Sequence, residues 1–382
     1  INNYASSEVV DENTVIFNFS APAPGFLQAT SAIQAGLLSS ATLDGDVDAY
    51  APGNGANVIG SGPFVITNET VGTEIELSVR EDYDWAPEES EHQGRAYLDS
   101  VIFSITPEDS VRIGALTSGQ TDVIRYVQAY DEEQVEAAGL QIFAPQTQGV
   151  NNSLSLRFTN PILSDLKVRQ ALVAGVNAQE VVDTVFTENY PVATGVLSHT
   201  ALGFVDHSAE LAFDQEKAKA LLDEAGWVPG ADGIREKDGV KLVLVASEAK
   251  PQPLSKDTLT LVSQQLKEIG VDLQILAADS GTFAEAIKDP NQVQLYHSMV
   301  GRTDLDVIKS QFHSANRNAN LSNDAELDRL LELVASTADG EARLQATADV
   351  QQYLVDNAYV IPLFEEPQVY GAQTYVQGFS FD

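Results

Sequence analysis

Residues 259–276, LTLVSQQLKEIGVDLQIL, carry a helical pattern and a strand pattern on either side of one glycine. One face of the helix is apolar and carries Leu259, Val262, Leu266 and Ile269. Gly270 is placed to end this helix, because glycine adopts the left-handed conformation found at many helix ends. VDLQIL follows at once and predicts a strand. A helix, a glycine and a strand in direct succession indicate an α/β layer.

A second segment, SDLKVRQALVAGVNAQEVVDTVF, begins at Ser164 and predicts two helices placed end to end. Ser164 or Asp165 is expected to cap the first helix. Asn177 is expected to cap the second, with Glu180 at the capping-box position three residues later. Arg169 lies four residues after Asp165, which is the spacing of an ion pair along a helix. We therefore interpret Arg169 as a structural residue.

The rest of the chain places strands first, helices in the middle and strands again near the end. Alternating apolar residues predict early strands around Phe17, Leu77 and Phe103. Near the end, Pro362 predicts an edge strand or a crossing segment and not a central strand, because proline cannot donate a hydrogen bond to a neighbouring strand. Apolar residues at helical spacing predict helices over 214–226, 324–337 and 340–357.

This order of elements predicts a first lobe that is interrupted by a second. The first lobe is expected to comprise residues 1–150 and 360–382, and the second residues 151–359. Two crossings would join the lobes, near 146–158 and 357–366. Two lobes on two crossings can hinge, and the cleft between such lobes is a preferred site for small molecules.

Composition excludes several classes of function. The chain of 382 residues has 21 Lys and Arg against 56 Asp and Glu, a formal net charge of −35. So few cations argue against binding to nucleic acid. The excess of acids is interpreted as a solvated surface, with a cationic ligand as the alternative. The absence of cysteine excludes disulfides and thiolate chemistry. No cofactor motif is present, and no cofactor is predicted.

Several motifs occur in a fixed order along the chain. They are IGSGPFVI (59–66), REDYDW (80–85), LDSVIFSITPEDSVRIGALTSGQTDV (98–123), LSDLKVRQALVAGVNAQEVV (163–182), FDQEKAKALLDEAGW (213–227), LVSQQLKEIGVDLQI (261–275) and VIPLF (360–364). In these motifs and their order the chain resembles the bacterial extracellular solute-binding proteins of family 5, the peptide, dipeptide and nickel group that serves ABC importers.

The resemblance implies a two-lobed α/β fold of the periplasmic-binding-protein type, class II-like, with the second lobe inserted into the first. It implies an extracytoplasmic, monomeric protein, lipid-anchored at its full length, that presents a small polar solute to a membrane permease and its ATPase. A short peptide is the expected ligand. A surface sensor or adhesin with the same fold and, less favoured, a hydrolase are the alternatives.

Members of the family usually carry a hundred or more residues before the strand that corresponds to 13–19. Either this chain is a fragment or this member of the family is short. We expect a fragment, with an incomplete first lobe and ligand site.

The segment HSMVGRTDLDVIKSQF, residues 297–312, resembles the part of the family that runs along the cleft. In peptide-binding relatives an aspartate of this segment meets the α-amino group of the ligand. The resemblance carries that role to Asp304, with Asp306 as the second choice. Arg302 is a candidate for holding a ligand carboxylate in a two-pronged contact. The alternative is that Arg302 pairs with one of these aspartates, or that they cap the next helix.

Four further residues are candidate ligand contacts. Tyr296 and Phe283 are expected to form an apolar wall, although Phe283 also suits a core position. Tyr126 is expected to face the cleft from the first lobe. Asn152 lies on the expected first crossing, where it either contacts the ligand or holds the hinge.

Enzyme and metal chemistry find little support in the sequence. There is no Gly-x-Ser-x-Gly elbow, no His-Glu-x-x-His and no phosphate loop. The histidines have no chelating spacing, and no metal site is predicted.

Overall fold

The computed structural model describes residues 3–32, 35–88, 90–250 and 252–381. The strands in these ranges are β1 (Tyr4–Asp11), β2 (Thr14–Phe19), β3 (Phe64–Thr70), β4 (Glu74–Val79), β5 (Ser100–Ser104), β6 (Val123–Arg125), β7 (Gln141–Phe143), β8 (Gly149–Leu156), β9 (Val228–Pro229), β10 (Arg235–Lys237), β11 (Val240–Lys241), β12 (Val243–Ser247), β13 (Asp272–Ile275), β14 (Leu295–Gly301), β15 (Val360–Phe364) and β16 (Tyr370–Ala372). The helices are α1 (Phe26–Thr30), α2 (Ser40–Leu43), α3 (Asp109–Thr117), α4 (Ala129–Ala137), α5 (Leu166–Ala174), α6 (Ala178–Val185), α7 (Gln215–Glu224), α8 (Ser255–Lys267), α9 (Ser280–Ala286), α10 (Asp306–Phe312), α11 (Ala325–Ser336) and α12 (Gly340–Asp356).

The chain divides into two units, which are described separately. The smaller unit spans residues 27–124. Its centre is an antiparallel sheet in the order β3-β4-β5, in which Leu77 of β4 lies opposite Val101 of β5. The alternating apolar pattern had predicted these two strands, and the prediction is confirmed.

The larger unit comprises residues 1–26 and 125–382, and its centre is a mixed sheet in the order β13-β12-β14-β8-β15. The strands β12, β13 and β14 run parallel, whereas β8 is antiparallel to both of its neighbours. Every residue of β8 is buried. The last strand, β15, lies at the sheet edge and contains Pro362, as predicted from that proline.

Helices cover both faces of this sheet. His297 and Ser298 are consecutive in β14, so their side chains point to opposite faces. His297 Nδ1 lies 2.7 Å from Ser255 Oγ of α8, and Gln311 Nε2 of α10 donates to Ser298 Oγ at 2.9 Å. The two helices therefore lie on opposite faces, which is the α/β layering expected from the sequence.

The helix pair α5 and α6 forms where it was predicted, with caps that differ in detail. Asp165 Oδ1 accepts from Lys167 N–H at 2.9 Å, and Asn177 Oδ1 accepts from Glu180 N–H at 3.2 Å. The capping box is not closed by Glu180, because Gln265 Oε1 from α8 accepts the Asn177 N–H at 3.0 Å. A packed neighbour thus supplies the second capping contact.

Arg169 is structural, but its predicted ion pair with Asp165 is wrong. Its guanidinium instead donates to backbone carbonyls: Nε and Nη2 reach Asn357 O at 3.1 and 3.0 Å, and Nη1 reaches Leu163 O at 2.8 Å. Arg169 is 6% exposed, and this burial lowers its pKa. It therefore ties α5 to the C-terminal end of α12, an interaction between distant residues that helical spacing does not reveal.

The other predicted helices are confirmed as α7, α8, α11 and α12. Gly270 has φ +86, the left-handed conformation expected where α8 ends. Within the described ranges, none of the helices has the length and apolar character needed to span a membrane.

Candidate functional site

Two extended segments of the larger unit run side by side, and we call residues 145–148 with 366–368 the paired crossing. Thr147 N–H donates to Glu366 O at 2.9 Å, and Gln368 N–H donates to Pro145 O at 2.8 Å. Gln146 and Pro367 form an antiparallel bridge between them. These bonds fix the start of β8 beside the end of β15.

Gly149 begins β8 directly after the paired crossing and is packed against β14. A Cβ at this position would lie 2.1 Å from Val300 O and 2.9 Å from Arg302 N. Its φ of +134 also favours glycine. The close approach allows Arg302 N–H to donate to Gln148 O at 2.8 Å, so the end of β14 is bonded to the paired crossing.

Arg302 and Asp304 form a bidentate ion pair at the end of β14. Nε donates to Oδ2 and Nη2 to Oδ1, both at 2.6 Å. The Asp304 side chain is 12% exposed and that of Arg302 is 44% exposed. The hydrogen bond to Asp304 raises the pKa of Arg302, which stays charged. The pairing that the sequence left open is therefore present, and the ligand roles of both residues stay predictions.

Asp306 belongs to a separate contact at the start of α10. Its Oδ1 accepts from Arg343 Nη2 at 2.8 Å. The backbone at Gly25 lies against its other oxygen, because a Cβ there would be 2.5 Å from Asp306 Oδ2. Burial raises the pKa of Asp306 although Arg343 acts in the opposite direction. A ligand role for Asp306 stays a prediction.

Asn152 lies on the other side of the paired crossing, where it contacts an unpredicted carboxylate. Asn152 Nδ2 donates to Glu366 Oε2 at 2.7 Å. Gln252 Nε2 donates to the same carboxylate, at 2.6 Å to Oε2 and 2.9 Å to Oε1. Asn152 is 0% exposed, whereas Glu366 is only partly buried. Burial raises the pKa of Glu366.

Tyr126 lies between two residues that are bonded to the segment after Glu366. Its neighbour Val127 donates N–H to Val369 O at 3.2 Å, and Arg125 Nη2 donates to Gln368 Oε1 at 2.8 Å. Tyr126 itself is 59% exposed, and the Arg125 guanidinium lies 4.6 Å from its ring centroid. Its φ of +63 is uncommon for a bulky residue and implies that the surrounding structure holds it there.

The last two candidates, Tyr296 and Phe283, have different neighbours. Two guanidinium groups lie near the Tyr296 ring, Arg157 at 4.8 Å and Arg317 at 5.6 Å from its centroid, and Arg317 Nη2 donates to the Tyr296 hydroxyl at 3.0 Å. Phe283 is approached by Lys250 Nζ at 4.9 Å. No contact in the described ranges joins the two rings into one wall, and their ligand roles stay predictions.

The structure thus forms two groups beside the paired crossing, Arg302 with Asp304 and Asn152 with Glu366. The candidates Asp306, Tyr296 and Phe283 have separate contacts. Sequence reasoning missed Glu366, which completes the second group. A signal for it exists in the sequence, because the apolar strand VIPLF is followed at once by two glutamates. A carboxylate at the end of a buried strand is unusual unless it has partners. Among the described residues, no cluster of three or more His, Asp or Glu side chains is arranged to hold a metal ion.

The fold itself is shared with a solved structure. NikA from Brucella suis, crystallised in complex with Fe(III)-EDTA, matches 100% of this chain and 76% of its own length, with a TM-score of 0.82 and 21% identity. The predicted fold class, an α/β fold of the periplasmic-binding-protein type, is confirmed by this likeness.

The family is established by sequence. Residues 2–318 match the family described as bacterial extracellular solute-binding proteins, family 5 Middle, and the chain belongs to that family. It is 27% identical over 282 residues to a dipeptide-binding protein of Escherichia coli K12, which covers 73% of this chain and 50% of that protein. It is 26% identical over 310 residues to the oligopeptide-binding protein AppA of Bacillus subtilis 168, which covers 78% of this chain and 55% of that protein. The chain therefore spans about half the length of these relatives.

Proposed function

We propose that the protein is an extracytoplasmic receptor that binds a short peptide and delivers it to an ABC permease and its ATPase. Membership of the family supports binding of a solute, and the names of the dipeptide- and oligopeptide-binding relatives support a peptide. Under this proposal residues 1–150 with 360–382 and residues 151–359 act as the two lobes, and the protein works as a monomer. The peptide is held and released unaltered, without catalysis.

The observation that carries the proposal is the position of Asp304. Its carboxylate is held in one orientation by two bonds from Arg302, whose backbone is in turn bonded to the paired crossing. A fixed carboxylate beside a desolvated ammonium gives a strong, oriented hydrogen bond. In this arrangement the peptide ammonium would join the Arg302–Asp304 pair, and Arg302 would offer its remaining donors to a carboxylate or carbonyl of the ligand.

A metal chelate is the second candidate. The Brucella protein with the same fold was crystallised with Fe(III)-EDTA, an anionic chelate. Arg302, which is 44% exposed, and Arg317 could contact the carboxylates of such a ligand without any metal-ligating side chain.

Native mass spectrometry of the purified protein tests the two ligands directly. Calorimetry with trialanine and with Fe(III)-EDTA then measures each affinity, and chromatography shows whether the peptide is recovered intact. We expect a peptide to co-purify with the protein. We also expect trialanine to bind saturably and to be recovered intact. Binding of the chelate alone would favour the second candidate, and cleavage of trialanine would establish an enzyme instead.

A further inference from the structure

Glu366 is a carboxylate whose negative charge meets no cation. Its three hydrogen bonds come from the neutral amides of Asn152 and Gln252. Among the described residues, no lysine, arginine or histidine side chain forms an ion pair with it. Removing a carboxylate from water without a counter-charge is costly, so such a residue usually serves a purpose beyond packing.

Two nearby carboxylates, Asp304 and Glu365, have partners of another kind. Asp304 is paired with Arg302 on both oxygens. Glu365, which precedes Glu366, lies with Oε2 2.6 Å from His199 Nδ1 and accepts the His199 N–H at 2.9 Å. Of these three acids, Glu366 alone has only amide donors in the described structure.

A second and independent observation concerns the amide of Asn152. While its Nδ2 donates to Glu366, its Oδ1 is buried and has no hydrogen-bond partner among the described residues. Buried side-chain oxygens are nearly always bonded. The unbonded oxygen and the carboxylate are both acceptors, and they belong to side chains that touch each other. Together they call for a group that brings several N–H donors and a positive charge.

We propose that Glu366 and Asn152 Oδ1 form a binding site for an alkylammonium or guanidinium group of the ligand. The proposal rests on the proposed function in assigning this cation to the transported solute, and it adds a second acidic position to the one at Asp304. A peptide with a free amino terminus and a lysine or arginine side chain carries the two cations that these positions fit.

The local structure orients such a site. Asn152 lies in β8, Gln252 lies just before α8, and Glu366 follows β15, so three segments of the sheet layer fix the carboxylate. The ammonium group has three donors, enough for the carboxylate and the Asn152 oxygen together. Glu366 is partly exposed and is the accessible part of the site, whereas Asn152 Oδ1 is buried behind it. A hydroxyl would bring a single donor and no positive charge to this position, and a carboxylate would be repelled by Glu366.

The first test needs no peptide. The protein is labelled with 13C at glutamate carboxyl carbons, and the signal of Glu366 is assigned by its loss in Glu366→Gln. We expect n-propylammonium to shift this signal in a saturable manner, whereas 1-propanol, which has a similar shape and no charge, does not. Absence of a shift with n-propylammonium, or an equal shift with both probes, would overturn the cation site.

Matched variants separate binding from folding. Asn152→Ser removes the amide and leaves Glu366 in place, and we expect it to weaken n-propylammonium binding. Glu365→Gln changes the adjacent buried acid and should leave that binding unchanged. Thermal unfolding of each variant shows that it is folded. If Glu366→Gln does not fold, its signal is assigned by elimination with the other variants, and Asn152→Ser then decides the proposal.

A second test connects the site with transport. Calorimetry compares trialanine with Lys-Ala-Ala, and we expect Lys-Ala-Ala to bind the wild type about tenfold or more tightly. That advantage should vanish in Glu366→Gln and persist in Glu365→Gln. If the advantage of Lys-Ala-Ala persists in both variants, the cation site at Glu366 is wrong, but the proposal of a peptide receptor stands. If neither peptide binds the wild type while n-propylammonium still shifts Glu366, the peptide function fails and the cation site stands.

Discussion

Arg302 and Asp304 are joined by two nearly parallel hydrogen bonds, Nε to Oδ2 and Nη2 to Oδ1, each 2.6 Å long. Two residues separated by one position thus form a closed pair at the end of β14. Such bidentate pairs are specific in geometry as well as strong. The pair sets the orientation of the Asp304 carboxylate, and the positive charge of Arg302 partly neutralises the carboxylate. A ligand ammonium at this position would therefore share the carboxylate with the Arg302 guanidinium.

Substitution of Asp304 by asparagine tests its proposed role. We expect Asp304→Asn to lower the affinity for trialanine by tenfold or more, about 1–3 kcal/mol, because the charge-assisted bond is lost. Calorimetry with trialanine and N-acetyl-trialanine measures the effect. The N-acetyl peptide has no ammonium and serves as the ligand control, so its affinity should change little. Equal binding of trialanine by the wild type and Asp304→Asn would remove this residue from the site.

Gly149 is a position where a side chain should not be tolerated. A Cβ there would meet Val300 O at 2.1 Å, and its φ is +134. We expect Gly149→Ala to lower the free energy of unfolding by about 2 kcal/mol or more, from backbone strain together with the displaced strand. Gly139→Ala is the control, because Gly139 has φ +74 with open space around its Cα. It should cost about 1 kcal/mol. Equal losses in urea unfolding would show that the close packing on β14 is unimportant.

Local patterns predicted most of the fold of the larger unit. Helices α5, α6, α7 and α8 appear where apolar spacing and caps placed them, because each depends on residues three or four positions apart. Pro362 excluded a central position for β15, and the strand lies at the sheet edge. β8 is harder to recognise, because it begins at Gly149, before the alternating Leu154 and Leu156. A strand buried on both faces need not alternate.

The candidate site was less predictable, because its contacts join residues far apart in sequence. Asp304 and Arg302 could be named from one motif, whereas the bonds between Glu366 and Asn152 or Gln252 span 214 and 114 positions. The same limit explains the error at Arg169, whose partner Asn357 lies 188 positions away. Spacing within one helix reveals only neighbours on that helix.

Arg169 offers a direct test of that correction. We expect Arg169→Lys to lower the free energy of unfolding by about 2–3 kcal/mol, because an ammonium cannot make the same forked contacts with Asn357 O and Leu163 O. Asp165→Asn is the matched control. It removes the charge of the originally predicted partner but keeps an oxygen that caps α5, so unfolding in urea should change by less than about 0.5 kcal/mol. A large loss in Asp165→Asn would instead support the ion pair.

Tyr126 carries a conformational prediction. At φ +63 a β-branched residue is disfavoured, whereas asparagine is tolerated. We expect Tyr126→Val to be less stable than Tyr126→Asn by about 1–2 kcal/mol in urea unfolding. The same two substitutions at Tyr130 in α4 form the control, since valine and asparagine have similar helix propensities. Similar differences at both positions would mean that the backbone of Tyr126 is free to change.

The partly buried charge of Glu366 predicts a dependence of stability on pH. Burial raises its pKa in the folded protein above the ordinary value of 4.5, so the folded state holds this proton more tightly than the unfolded state does. The resulting contribution to stability is complete below pH 4.5 and is lost as the pH rises through the raised pKa. Glutamine has no charge and its single amide oxygen can still accept the bonds that reach Glu366 Oε2 from Asn152 and Gln252, although the contact to Oε1 is lost, so we expect Glu366→Gln to be more stable than the wild type at pH 8. The advantage should shrink toward pH 4.5. Urea unfolding of both proteins across this range measures the difference, and a difference that does not vary with pH would show that Glu366 is not held as a costly buried charge.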